Sequence, residues 1–341
     1  MAQPYDPSAT PWIFDDDAFY ELTSLHEKFE FVLRYAVLAP SSHNQQPWSF
    51  RITDQGVEVF ADATRRLPVI DPDDREMTIS IGAAIANLRV AAAHFGFEST
   101  ALFPEAGGTG AVATIALQEA PTPDERRKSL FHSIKLRHTN RMPFDEKTLD
   151  PAALSRVLDV VEEYPDTFHI VYRQDQQRAA DLIAVADQLL MADAAYRSEL
   201  AACLNTATGA EDGLTGDALG IPATIAAAAP FVLRHVDLGS VQARHDQKLT
   251  MSSAALVVVT ADDDAISLLR AGEALEYLLL TITGAGLQYS FLNAPIQRAE
   301  LRARVDQLSS SRFPAQLIVR IGHGQTLSGS SPRRPLDAVV V

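Results

Sequence analysis

The chain has 341 residues, a formal net charge of −15, 47% apolar residues and one cysteine, Cys203. That acidic balance excludes general affinity for nucleic acid, which depends on neutralising phosphates with Lys and Arg, while the apolar content excludes a disordered chain. A single cysteine excludes an internal disulfide, no apolar run is long enough to span a membrane, and the acidic start at Asp15, Asp16 and Asp17 has no signal-peptide pattern, so a cytoplasmic protein with no membrane partner is expected.

Residues 1–20, with Pro4, Pro7 and Pro11, read as an extended arm. A helix follows from Leu25 to Leu38, opened by a capping box of Ser24 and Glu27, with Phe29, Val32, Leu33, Ala36 and Val37 at helical spacing. Pro40 stops it. Residues 39–48 form a helix-to-strand loop with two prolines, followed by a hairpin over Ser49–Ile52 and Val57–Ala61. After irregular residues 63–75 comes a helix from Arg75 to Phe95, ended by Gly96. Gly82 and its many alanines point to close packing against another helix or a flat ligand. Strands are expected at 101–103 and 112–117, then a polar linker at 121–128 that divides residues 1–125 from 126–341. In the second unit Asp150 and Pro151 announce a helix, with Leu154, Val157, Leu158 and Val161 on one face. A strand at Phe168–Tyr172, a helix at Ala179–Met191, a Gly/Thr/Asp-rich stretch at 205–222, a strand at Ala255–Thr260, a helix at Ser267–Ala285 and a strand at Gln316–Ile321 complete it.

The chain repeats itself. Aligning Gly82–Leu102 with Gly272–Leu292 brings Gly82 onto Gly272, Ala84 onto Ala274, Leu88 onto Leu278, Gly96 onto Gly286 and Leu102 onto Leu292. A strand follows each copy. Two copies of one α+β unit in one polypeptide, related by a local two-fold, are implied.

Two stretches carry chemistry. The loop Ala39-Pro-Ser-Ser-His-Asn-Gln-Gln-Pro-Trp48 puts short hydrogen-bonding groups on stiff backbone. That suits a planar polar ligand, and it equally suits an ordinary turn. Arg137-x-Thr139-x-Arg141 places three polar side chains on alternate positions, which share a face in extended backbone; a solvated basic stretch is the competing reading. The nine histidines show no metal spacing, and His43 reads as a packing or polar surface residue. Cys203 reads as a small buried residue, and no Gly-x-Gly-x-x-Gly follows a strand.

The loop residues Pro40, Ser41, Ser42, Asn44, Gln46, Pro47 and Trp48 resemble the Pro-Ser-x-x-Asn-x-Gln-Pro-Trp signature of the nitroreductase superfamily of FMN flavoproteins. With its internal duplication the chain resembles the fused, Acg-type branch over about residues 20–341. The resemblance implies an α+β nitroreductase-like fold: two tandem copies forming a pseudo-dimer, antiparallel or mixed sheets, and a helical core. It implies that Pro40, Ser41, Ser42 and Asn44 lie against the flavin ring, and that Arg137 and Thr139 contact the FMN phosphate. Arg141 would approach the N1/C2=O edge of the ring, and Arg333 or Arg334 would reach the phosphate. Asn293 stands where the family has a glutamate whose backbone faces flavin N5. The first half lacks an Arg-x-Thr-x-Arg and the second lacks the loop signature, so one complete site, and one FMN per chain, is expected. The implied function is an FMN-dependent oxidoreductase that reduces nitroaromatic, quinone or other conjugated small molecules through N5, with NAD(P)H a candidate electron donor and no proton-transferring residue identified. The alternative is a non-enzymatic FMN-sequestering protein. Residues 205–222, with Gly209, Gly213, Gly216 and Gly220, are a candidate lid. The chain is expected to act as a monomeric pseudo-dimer, with further assembly left open.

Overall fold

The structure, a computed structural model, describes all residues except 1–4, 105–109, 121–123, 208, 217–218, 220, 222, 310 and 327–328. Among them are two antiparallel four-stranded sheets. The first joins β1 (Trp48–Thr53), β2 (Gly56–Ala61), β3 (Phe97–Leu102) and β4 (Ala113–Glu119) in the order β1-β2-β4-β3. The second joins β5 (Phe168–Val171), β6 (Ala255–Thr260), β7 (Gln288–Phe291) and β8 (Ala315–Gly322) in the order β5-β6-β8-β7, the same topology. The helices in chain order are α1 (Leu25–Ala36), α2 (Arg75–His94), α3 (Glu125–Ile134), α4 (Pro151–Glu163), α5 (Gln176–Ala192), α6 (Ala194–Cys203), α7 (Ala223–Ala226), α8 (Ala229–His235), α9 (Gly239–Met251), α10 (Ala265–Gly284) and α11 (Ala299–Ser309). Helices α5–α9 all lie in one excursion between β5 and β6, where the first sheet has only the tight turn from Thr53 to Gly56.

The duplicated helices α2 and α10 cross at the repeat-related glycines. A Cβ on Gly82 would stand 2.1 Å from the Leu269 carbonyl oxygen and 2.9 Å from the Gly272 Cα. A Cβ on Gly272 would stand 2.1 Å from the Ile79 carbonyl oxygen and 2.9 Å from the Gly82 Cα. Ile79 and Leu269 are separated by the same offset as the two glycines, so the contact is reciprocal, as a local two-fold requires. The two copies therefore meet through their central helices, and small residues permit the close approach.

Each sheet buries the face that its sequence pattern dictates. In β6 and β8, Val257, Val259, Leu317, Val319 and Ile321 pack with α10, while Leu256, Val258, Ala315 and Ile318 pack with α5 and α11. Both faces are covered, so β8 is buried throughout and reads as a continuous apolar run. The C-terminus crosses to the other copy: the Phe50 N–H donates to the Val339 carbonyl at 2.7 Å, and the Val341 N–H donates to the Phe50 carbonyl at 2.8 Å. That pairing at the edge of the first sheet carries Arg333 to the C-terminal end of α1.

Several expected boundaries move. The strand expected at 101–103 begins at Phe97, and the helix expected from Ala179 begins at Gln176. The expected linker is partly helical: Asp124 caps α3 by accepting from the Arg127 N–H at 3.0 Å, and α3 packs on α2 and α10, while residues 121–123 lie outside the described residues. Composition suggested a linker because α3 presents a charged outer face and buries only Phe131, Ser133 and Ile134. The arm folds onto its own chain: the Tyr5 hydroxyl donates to the Arg333 carbonyl at 2.7 Å and Trp12 Nε1 donates to the Ser331 carbonyl at 3.1 Å. No helix among the described residues is long and apolar enough to cross a membrane.

Candidate functional site

Just past the C-terminus of α1, at the negative end of its dipole, the carbonyls of Val37, Leu38 and Ala39 have no helical partner. Two buried arginines from distant segments take them. Arg333 donates to the carbonyls of Val37 at 2.9 Å, Leu38 at 2.9 Å and Ala39 at 3.1 Å, and to Asn44 Oδ1 at 3.0 Å. Arg137 Nη2 donates to the same Leu38 carbonyl at 2.7 Å, its Nη1 bonds the Tyr289 hydroxyl, and its Nε lies 3.2 Å from the Glu276 carboxylate. The loop after α1 is thus clamped by the two basic motifs that the sequence singles out.

Within the loop, His43 (φ 49°), Asn44 (φ 59°) and Gln46 (φ 51°) occupy the left-handed region. Three such non-glycine residues in four positions are costly and persist only where surroundings over-determine them. The restraints are visible. Ser41 Oγ accepts from the Gln46 N–H at 2.9 Å. The Ser42 N–H donates to Ser80 Oγ at 3.2 Å, and Ser42 Oγ donates to Glu76 Oε2 at 2.7 Å. Asn44 Nδ2 donates to the carbonyls of Pro332 at 3.0 Å and Gly213 at 3.1 Å.

Thr139 pairs with Tyr289 through an isolated parallel bridge, and Asn140 turns the other way, donating to Gln288 Oε1 at 3.0 Å and the Gln325 carbonyl at 2.8 Å. Arg137, Thr139 and Arg141 accordingly point away from Asn140, as alternation requires. Arg141 makes no hydrogen bond or ion pair among the described residues; its charge acts on His43 and Arg320. Of the C-terminal pair, Arg333 enters the site. Arg334 bonds the Ala338 carbonyl at 2.9 Å and lies 3.6 Å from Asp62, so only its main-chain N–H, on Gln46 Oε1 at 2.9 Å, serves the loop. Asn293 caps a short turn at residues 294–297, and its Oδ1 accepts from the Ile318 N–H at 3.0 Å.

Sequence reasoning missed Arg320. It is fully buried on β8, donates to the carbonyls of Asn140 at 2.9 Å and Met142 at 2.8 Å, and leaves Nε and Nη1 without partners. The signal was an arginine inside an otherwise apolar strand. Burial pushes it down to about 10, opposed by Asp246. Arg333 is pushed down to about 9 by burial and by Arg137. Burial pushes the Glu276 carboxyl up to about 7, with Arg137 opposing. Burial, then Arg137 and Arg333, push the His138 imidazole down to about 3.

The described part of the candidate lid is docked on the loop. The Gly213 N–H donates to the Asn44 carbonyl at 3.3 Å, Gln46 Nε2 donates to the Glu211 carbonyl at 2.9 Å, and Arg65 pairs with Asp212 at 2.8 Å. Residues 208, 217–218, 220 and 222 of that stretch, Gly220 among them, lie outside the described residues. Cys203, at its root, is buried, and burial pushes its thiol up to about 12. No group of three metal-ligating side chains occurs among the described residues.

The chain is 30% identical to "Putative NAD(P)H nitroreductase acg" of Mycobacterium tuberculosis over 320 residues, covering 90% of this chain and 93% of that protein. The chain belongs to the nitroreductase superfamily, in its Acg branch. A second Mycobacterium tuberculosis protein named as a putative NAD(P)H nitroreductase is 29% identical, covering 92% of this chain and 91% of its own length, and an uncharacterised protein of that organism is 30% identical, covering 91% and 92%. Among solved structures, a putative nitroreductase from Anabaena variabilis aligns over 95% of this chain and 93% of its own, with a TM-score of 0.48 and 10% identity. Nitroreductase A from Vibrio parahaemolyticus aligns over 63% and 75%, with a TM-score of 0.38 and 13% identity. No family model matches the chain. In this chain the signature loop, the Arg-x-Thr-x-Arg segment and the C-terminal basic pair are separated by most of the sequence, and folding brings all three to the end of α1.

Proposed function

We propose that this nitroreductase is an FMN-dependent oxidoreductase, with one flavin per chain, that passes electrons from NAD(P)H to a nitroaromatic, quinone or other conjugated acceptor. The observation that carries the reading is charge concentration. In a chain of net charge −15, Arg137, Arg141 and Arg333 gather at the signature loop, with Glu276 paired to Arg137 and Glu76 bonded to Ser42, while Arg320, acted on by Asp246, bonds the Asn140 and Met142 carbonyls next to Arg141. Among the described residues Arg141 makes no hydrogen bond or ion pair, and Arg320 keeps two nitrogens without a hydrogen-bond partner. This surplus fits a dianionic phosphate and the negative charge of a reduced flavin ring.

Arg137, Thr139 and Arg333 would hold the phosphate, Arg333 rather than Arg334 because only Arg333 points inward. All five N–H groups of Arg333 are taken here by the Val37, Leu38, Ala39 and Pro332 carbonyls and Asn44 Oδ1, so it would have to give up part of that clamp to reach the phosphate. Pro40, Ser41, Ser42 and Asn44 would line the ring, Arg141 its N1/C2=O edge, and the backbone at Asn293 would face N5. Bound FMN would supply the two-electron chemistry, taking up and releasing hydride at N5. The chain's own contribution is to bind, orient and electrostatically tune it.

One observation favours the second reading, an FMN store. The docked 211–213 segment ties Asn44 and Gln46, and it would restrict access of a large hydride donor. The test is direct. Purified or reconstituted protein should be yellow, with close to one flavin per chain, and should bleach rapidly on anaerobic mixing with NADH or NADPH. A chain that takes up no flavin overturns both readings, and a yellow chain that does not bleach leaves the store.

A further inference from the structure

His43 was read from the sequence as a packing or surface residue, yet its surroundings give it a defined tautomer. Ser42 Oγ has one hydrogen. It is given to Glu76 Oε2 at 2.7 Å, because that carboxylate also accepts from Gln297 Nε2 at 3.2 Å and lies 3.7 Å from Arg75 Nη2. Ser42 Oγ can therefore only accept in its 3.1 Å contact with His43 Nδ1. The Nδ1 of His43 must carry hydrogen, and Nε2 is left as the exchangeable position. Nε2 has no hydrogen bond among the described residues, the ring is half-buried, and Arg141 is the neighbouring cation. A histidine at φ 49° is also a poor choice for a mere turn, where glycine or asparagine costs less.

We propose that His43 is the proton donor to the bound acceptor, positioned by the Ser42–Glu76 pair. This rests on the oxidoreductase reading above. As the acceptor takes up a hydride equivalent, the Nε2–H bond of the imidazolium would break and an O–H bond would form on the acceptor. The electron pair stays on Nε2, and the neutral ring regains its proton from water. Burial holds the ring below the ordinary histidine range, which makes its imidazolium the more ready acid; Glu76 on α2 opposes this by holding the proton on, and Arg141 on the 137–141 segment adds to its loss. Glu76 is a positioning residue.

The test separates chemistry from structure. With the flavin-loaded protein, H43Q should slow anaerobic reoxidation by a quinone about 100-fold, the low end of general acid catalysis, while ferricyanide, which takes electrons without a proton, is reduced within twofold of the wild-type rate. The quinone rate should fall as pH rises through the His43 titration, and E76Q should move that limb to lower pH. Nitrogen NMR of the histidine-labelled chain without flavin should show His43 as the Nδ1–H tautomer, an arm that needs no activity. Quinone reoxidation of H43Q within twofold of wild type, equal slowing with ferricyanide, or an Nε2–H tautomer overturns the proposal and leaves the oxidoreductase reading intact. Failure to take up flavin or to be reduced overturns both.

Discussion

Adding a methyl group at Gly82 tests the pseudo-two-fold arrangement at its axis. The new carbon would lie 2.1 Å from the Leu269 carbonyl oxygen and 2.9 Å from the Gly272 Cα. Both are backbone atoms, so no side chain can turn aside; α2 and α10 must separate by about 1 Å to restore ordinary van der Waals distance. A gap of that size forfeits a quarter to a half of each dispersion well. Taking the interface to hold about 100 atom pairs at ~0.15 kcal/mol each, the loss is about 4–7 kcal/mol; relaxation brings overpacking costs nearer 3 kcal/mol, and the helix propensity of alanine returns about 1 kcal/mol. G82A should therefore lower stability by about 2–3 kcal/mol, read as a shift of the urea midpoint at constant slope. Because the contact is reciprocal, G272A should cost the same to within about 1 kcal/mol. The double variant should cost clearly less than their sum, since one separation relieves both clashes. A G82A chain within ~0.5 kcal/mol of wild type, or a fully additive double variant, would refute the reasoning.

Two further outcomes follow from the clamp at the end of α1. Replacing Arg333 with alanine strips the Val37 and Ala39 carbonyls and Asn44 Oδ1 of a buried donor, at about 1–3 kcal/mol for each group left unsatisfied; a total near 3–5 kcal/mol is expected by urea unfolding, with R333K recovering part, and wild-type stability would contradict it. The His138 imidazole is held neutral by burial and by Arg137 and Arg333, its folded value about 3 lying below its ordinary range near 6.5. A depressed value binds fewer protons in the folded state, so this contribution is intact above about pH 6.5 and is lost as pH falls towards 3; the urea midpoint should decline across that window, and H138N should flatten the decline.

Much of this was legible in the residues because local and global signals agree. The capping box of Ser24 and Glu27 is present in full, and the small residues of α2 and α10 do mark a close helix crossing. The sheet topology was legible only through the repeat, since strands of four to eight residues carry little period of their own. Helices α6, α8, α9 and α11 were not legible. They are 7 to 13 residues long and mostly exposed: α6, α9 and α11 bury only three or four residues each, and α8 buries none. At the site, residue identities were readable and pairings were not. Nothing in the sequence says that Arg137 and Arg333 share the Leu38 carbonyl, or that Arg320 stands behind Arg141. Those relations come from tertiary contacts between segments about 100 to 300 positions apart.

The case for a single flavin turns on how unequal the two copies are around their axis. Between α1 and β1 the first copy has residues 37–47, long enough to fold back on itself with three left-handed residues; between α4 and β5 the second has only 164–167. Asn87 and Tyr277 occupy equivalent repeat positions. Near Asn87, arginines outnumber carboxylates, and Arg137 and Glu276 form an ion pair without a hydrogen bond. Near Tyr277, charges balance: Arg89 pairs with Glu273, and Arg127 bonds both the Tyr277 hydroxyl at 3.2 Å and Asp124 at 2.8 Å. An anion entering there would have to displace Glu273 or Asp124 at full desolvation cost, whereas at the other end Arg333 is held by neutral carbonyls and an amide. The excursion α5–α9 belongs to the second copy and supplies residues 211–213 to cover the loop of the first. The second copy thus clamps and covers the loop that the first copy supplies.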